Sequence, residues 1–170
     1  MVNEQNMELI VRHLGFLQYD TVPTFNHGGE IWCLWNPINI EVNVISKENR
    51  AIHYHVIEKV NNKQFILLAI YAHAQEKNKD SFCQHLKQLN NSINLPWCIM
   101  DDFNEMLCSS DKVEGVPLTI FRTRRLNDFL NHTRSSDANV QGRVFTWKKI
   151  LRGQLVCENL DRVIFREACA

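Results

Sequence analysis

The sequence predicts an α+β protein whose core is one β-sheet packed on another, with helices on the flanks. Strand-like runs outnumber helix-like ones, and the helices fall between them irregularly. Three strand candidates also follow one another at short intervals between Ile40 and Ala72, with no room for crossover helices. A doubly wound parallel sheet would need a helix after almost every strand, and this chain lacks that rhythm.

Met7, Ile10, Val11 and Leu14 recur at helical spacing with Gly15 as a C-cap, which predicts a short amphipathic helix from about Glu4 to Leu14. Phe16 to Thr24 reads as loop or a weak strand. Gly28-Gly29 then turns the chain into Ile31-Trp32-Cys33-Leu34-Trp35, an apolar run expected to be a buried strand and ended by Asn36-Pro37. Ile40 to Ile45 alternates, and so does Ala51 to Glu58, with Ile52, Tyr54 and Val56 on one face and His53 and His55 on the other. Asn61-Asn62-Lys63 makes a hairpin-like turn into Phe65 to Ala72, a long buried strand carrying Tyr71 near its end. A helix follows from about Lys79 to Ser92, with Phe82, Leu86 and Leu89 inward.

The next strand, Trp97 to Met100, is apolar throughout, which suits burial on both faces, and it runs straight into Asp101-Asp102-Phe103-Asn104. Glu105 to Lys112 reads as loop with a helical turn. Arg122 to His132 reads as a helix, with Leu126, Phe129 and Leu130 on one side. Val144 to Trp147 is a short strand, and Val156 to Phe165 is the last one.

The 170 residues suggest a single domain, and 45% apolar with 22% charged residues describes an ordinary folded globule. Net charge is zero, so overall composition carries no attraction to nucleic acid or acidic membrane; a local patch would have to supply it. The cysteines form no C-x-x-C pair, which counts against a zinc ribbon or a thioredoxin-like site. Met1 to Leu14 lacks the apolar core of a signal peptide, and no run approaches the roughly 20 apolar residues of a membrane span. The expectation is an intracellular protein of nucleus or cytoplasm with reduced thiols.

Chemistry is most legible at the end of the Trp97 strand, where α/β folds often place ligands. Two carboxylates and an amide there could hold a divalent metal and a phosphate; on the bare pattern the same residues more readily make a strand-end turn. Tyr71 at another strand end and Asp161 are the companions that could converge with them. Phosphoester hydrolysis asks for such a set: a carboxylate for the metal or water, donors for the phosphate oxygens, and an oriented base. His53-x-His55 has the spacing of some metal sites but also of a half-exposed strand. Arg122-x-Arg124-Arg125 and Lys148-Lys149-x-x-Arg152 are candidate phosphate contacts or solvated faces.

Several blocks occur in order: Gly28 to Trp35, Phe65 to Ala72, Pro96-Trp97 through Asp102-Phe103-Asn104, Phe145-Thr146-Trp147, and Leu160-Asp161-Arg162. Together they resemble the endonuclease/exonuclease/phosphatase superfamily, and more narrowly the endonuclease-like domain of plant LINE-type retroelements. The resemblance implies a four-layer, DNase I-like sandwich of two β-sheets flanked by helices. It implies Mg²⁺- or Mn²⁺-dependent cleavage of phosphoesters, with DNA as the partner. Carried over by position, Asp102 resembles the acid that handles the attacking water and is the one metal-ligand candidate. Asn104 resembles its partner at the scissile phosphate, Tyr71 the tyrosine that stabilises that phosphate, and Asp161 the acid that orients a general-base histidine.

The departures are specific. The family's metal-ligating glutamate and its C-terminal Ser-Asp-His segment have no counterpart here, so the expectation is a truncated domain missing edge strands at both termini and weak or inactive in cleavage. The alternative is a non-catalytic domain that binds nucleic acid or a protein. The residue before Asp102, usually glycine in the family, is Asp101, which adds a charge and a side chain where the backbone favours neither.

Overall fold

Helix α1 (Glu4–His13) stops where the sequence places its stop. Gly15 takes φ +83°, and the Gly15 and Phe16 amides return to the Arg12 and Val11 carbonyls at 3.0 and 3.1 Å, closing the last turn. Of the helix's predicted apolar stripe only Val11 is buried; Ile10 and Leu14 remain exposed. The computed structural model describes residues 4–23, 29–138 and 144–167; Gly28 and Cys169 lie outside the described residues. Two units make up the chain, Met1–Tyr71 and Ala72–Ala170.

In the first unit β1 (Gln18–Val22) and β2 (Ile31–Trp35) form an antiparallel pair, and β3 (Ile40–Glu48), β4 (Ala51–Glu58) and β5 (Lys63–Tyr71) run as an antiparallel meander. The two sheets meet in one core, Val22 and Ile31 from the pair against Ile52, Tyr54, Val56 and Ala69 of the meander. Each large side chain buried there contributes about 1.5–3 kcal/mol. That packing makes Gln18–Val22, within the stretch read as loop or weak strand, a strand: Tyr19 lies opposite Leu34 and Val22 opposite Ile31.

Two expectations change in this unit. Only Ile31 of β2 is fully buried, because the rest of the strand is covered on one side by the meander and is half-exposed elsewhere. Conversely His53, on the β4 face expected to be polar, is 5% exposed, while His55 two residues on is half-buried. The outer strand β3 is mostly exposed, and a register break between Val44 and Ser46 interrupts its pairing with β4, a bulge of the kind that discourages edge pairing.

The second unit contains α2 (Glu76–Ser92), β6 (Trp97–Asp102), a 3₁₀ turn (Ser109–Asp111), β7 (Lys112–Val113), α3 (Ile120–Thr133), β8 (Ser136–Asp137), β9 (Trp147–Leu151), β10 (Gln154–Glu158) and β11 (Asp161–Arg166). Here β11 pairs antiparallel with β6 and β8, while β10 pairs with β7 and β9. Trp97 and Ile99 alternate with the half-buried Cys98 and Met100, so β6 has one fully buried face. On it the Trp97 ring meets Phe129 of α3 edge-on at 6.4 Å, and the Arg166 guanidinium lies 5.9 Å from the Trp97 ring centre. Sheet packs on sheet in the first unit and helices cover a sheet in the second; the class is the expected α+β, with packed sheets flanked by helices.

The predicted last strand, Val156 to Phe165, is two strands in different sheets. Asn159-Leu160 forms the corner: the Asn159 amide donates to the Asp111 carbonyl at 2.8 Å, and the Thr146 hydroxyl accepts the Leu160 and Asp161 amides at 3.1 Å each. The Val144 to Trp147 strand is displaced too. It begins at Trp147 and turns at Arg152-Gly153, whose φ values of +50° and +81° suit a two-residue hairpin loop.

Candidate functional site

Asp102 is the last residue of β6, and the chain leaves the sheet there because Asn104 adopts the left-handed conformation, φ +50°, that asparagine tolerates better than most residues. Between them the 3% exposed Phe103 plugs the core, and its amide donates to the Leu160 carbonyl at 3.0 Å. The loop then closes on the carboxylate. The Asn104 amide donates to Asp102 Oδ1 at 2.7 Å, and Asn104 Nδ2 donates to Asp102 Oδ2 at 3.1 Å and to the Ala72 carbonyl at 2.9 Å. The Ala72 amide completes the ring by donating to the Asp102 carbonyl at 2.7 Å.

This network fixes which way the amide points, since the flipped orientation would set its oxygen against a carbonyl and a carboxylate. Both N–H groups of Asn104 are therefore committed inside the protein. A phosphate contact through Asn104 would require one of them to change partner.

Asp161 opens β11 directly opposite Asp102 in the pairing register, and Arg162 lies opposite Asp101. Facing carboxylates on adjacent strands repel. Burial, then the neighbouring Asp161 and Asp101, push the Asp102 carboxyl up to about 6, against the lowering effect of its bond from Asn104 and the charge of Lys79. Burial and Asp161 raise Asp101 as well. A carboxylate near 6 is poised to exchange a proton close to neutral pH.

The structure thus brings Asp102, Asn104 and Asp161 together in the second unit. Tyr71 ends β5 in the first unit, where its ring lies against Gly29 so closely that a Cβ there would sit 2.6 Å from Cε2. The Arg50 guanidinium covers the same ring at 5.5 Å and donates to the Tyr71 carbonyl at 3.2 Å. Gly29, which the sequence marks as a turn residue, is needed for this close approach.

Asp101 takes φ +97°, in the region that favours glycine and strains an aspartate. Asp101→Gly is expected to stabilise the protein by about 0.5–1 kcal/mol, the relief of strain being partly offset by glycine's greater freedom when unfolded. A thermal melt would show a rise of roughly 1–4 °C; an unchanged or lower midpoint would contradict the strain.

Among the described residues no three His, Cys, Asp or Glu side chains gather as a metal-binding group. Asp102 alone, with both oxygens already accepting hydrogen bonds, does not constitute a resident Mg²⁺ or Mn²⁺ centre. Burial pushes the Cys83 thiol up to about 11 and raises Cys98, so neither of these is an activated nucleophile.

Residues that sequence reasoning passed over hold the site together. Thr146 fixes the start of β11 by accepting the Leu160 and Asp161 amides. The buried Lys79 on α2 donates to the Asn104 carbonyl at 2.6 Å. Arg125, a candidate phosphate contact in the sequence, instead binds Glu76, Asp80 and Glu105 with its side chain 9% exposed. Lys148, Lys149 and Arg152 are exposed on the β9–β10 hairpin.

No protein-family profile matches the sequence, and no curated protein matches it at a significant level. Solved structures do match. The endonuclease domain of TRAS1, a telomere-specific non-LTR retrotransposon, aligns with a TM-score of 0.64 at 14% identity, covering 94% of this chain and 76% of that one. TDP2 of D. rerio, complexed with single strand DNA product, gives 0.58 at 10% identity over 99% of this chain and 68% of its own. An endonuclease/exonuclease/phosphatase family protein from Bacteroides thetaiotaomicron gives 0.54 at 12% identity, over 95% and 64%. At these identities the likeness establishes the fold, which is DNase I-like, and one of its bearers is a retrotransposon endonuclease domain.

Proposed function

We propose that this chain is an endonuclease-like domain of retroelement type that engages the phosphates of DNA, and that it cleaves them weakly or not at all. The observation that carries this reading is the closed Asp102–Asn104 pair, facing Asp161 across β6 and β11 at the end of a buried strand. Its residue types, at the end of a buried strand, suit a phosphate-cleaving centre. Its bonding favours retention over turnover: the amide donors are engaged, the carboxylates repel one another, and Asp101 strains the turn that presents them. The residues present would bind, orient and exchange a proton, with Asp102 as acceptor. A divalent ion, if recruited, would be held largely by water and the substrate's own phosphates. Exposed Lys148, Lys149 and Arg152 are proposed as sequence-independent backbone contacts.

The activity predicted by the alternative, catalytic reading rests on Asp102 lying near 6, suited to a general base. Incubation with supercoiled plasmid in Mg²⁺, Mn²⁺ or EDTA decides between them. The expected result is DNA binding that weakens with salt and little or no nicking. Metal-dependent nicking that disappears in Asp102→Ala would overturn the weak-activity reading, and failure to bind DNA at low salt would overturn the nucleic-acid reading.

A further inference from the structure

We propose that Lys79 is a positioning residue whose buried ammonium fixes the Asp102–Asn104 pair by holding the Asn104 carbonyl. A lysine is rarely buried without a specific set of acceptors. Here the side chain is 7% exposed, and Nζ reaches the Asn104 carbonyl at 2.6 Å, Glu105 at 3.6 Å and Glu76 at 3.8 Å. Glu105 is itself buried and shared with Arg125 of α3, whose guanidinium also binds Glu76 and Asp80 of α2. Two cations and three carboxylates thus join both helices to the loop that follows β6.

The consequence for the site lies in the direction of the Lys79 bond. Asn104 has a left-handed backbone, and its amide and side chain donate to Asp102 while its carbonyl accepts from Lys79. Holding that carbonyl restrains the Asn104 backbone from which both donors extend. The Asn104 donors therefore stay on Asp102 and Ala72, and Asp102 experiences a nearby positive charge. A lysine that served only to staple helices would be satisfied by Glu76 and Glu105 and would have no need of the carbonyl.

The inference rests on Asp102–Asn104 being the functional pair, yet its test does not depend on activity. In Lys79→Met, exchange of the Asn104 backbone and Nδ2 hydrogens should accelerate by about tenfold or more relative to the β6 core amides, and Lys79→Arg should restore part of the protection. Unchanged Asn104 exchange in folded Lys79→Met, or acceleration spread evenly over the whole unit, would overturn the role. Should that variant not fold, Lys79→Gln supplies the same comparison with a neutral donor. In the unmodified protein the Lys79 ammonium protons should be slow to exchange and correlate with the Asn104 carbonyl carbon; a rapidly exchanging ammonium would likewise overturn it. Failure to bind DNA at low salt would sink the proposed function and leave these readouts standing.

Discussion

Arg162→Ala is expected to lower unfolding free energy by about 3–5 kcal/mol. The guanidinium is 3% exposed and forks between two acids, donating to Asp137 at 2.7 Å and to Asp111 at 2.5 Å, with a further contact to the Asn159 carbonyl at 3.3 Å. Asp111 is equally enclosed and accepts the Leu107 and Cys108 amides and the Asn159 side chain. Those neutral donors orient the carboxylate, but its charge is balanced by Arg162 alone among its hydrogen-bond partners. Truncation leaves a buried anion without its cation, and that penalty exceeds the modest net worth of the pair itself. Lysine should rescue poorly, because one ammonium cannot reproduce a fork between two carboxylates. Urea unfolding gives the measurement, and Asp111→Asn in the alanine background should recover part of the loss. A loss under about 1 kcal/mol would show that the pair is not the anchor of β11.

What the sequence disclosed follows the range over which each feature is determined. Asp102 and Asn104 are two residues apart, and the turn that joins them needs only local chemistry, so the pair was legible. Asp101 was legible as a misfit for the same reason: a side chain where glycine is usual, now seen at φ +97°. The strand at Gln18–Val22 was ambiguous because it owes its form to β2, whose partner residues lie 9 to 17 positions further along the chain. The Val156 to Phe165 stretch hid its corner, since apolar residues continue through it and the bonds that break it come from Asp111 and Thr146. Lys79 and Arg125 were the least legible. Their partners lie 25 and 20 residues away, and a helix pattern gives no sign of which cation will be buried. Arg125 consequently read as a phosphate contact or a solvated face when it is an internal brace.

Asp102→Asn is expected to stabilise the protein at neutral and alkaline pH while removing its proton-accepting group. Asp102 lies near 6 in the folded chain against about 3.9 unfolded, so folding favours the protonated form. Below about pH 4 the carboxyl is protonated in both states and imposes no cost. As pH rises from about 4 to about 6 the unfolded chain loses its proton more readily, and native stability falls by an amount on the order of 2–3 kcal/mol that persists at higher pH. Asparagine removes that cost. Its oxygen can still accept the Asn104 amide, but its nitrogen then faces Asn104 Nδ2, a donor meeting a donor, which returns about 1 kcal/mol. The net gain is about 1–2 kcal/mol at pH 8, shrinking to nothing and then reversing as pH falls through the window between 6 and 4. Taking the difference between variant and parent at each pH cancels the titration of distant acids, so unfolding curves across pH 3.5–8 isolate Asp102. A pH-independent difference, or a variant less stable than its parent at pH 8, would contradict the raised carboxyl. The expected shape identifies a residue retained at a cost to the fold, the trade that distinguishes a site kept for binding or chemistry from a turn kept for stability.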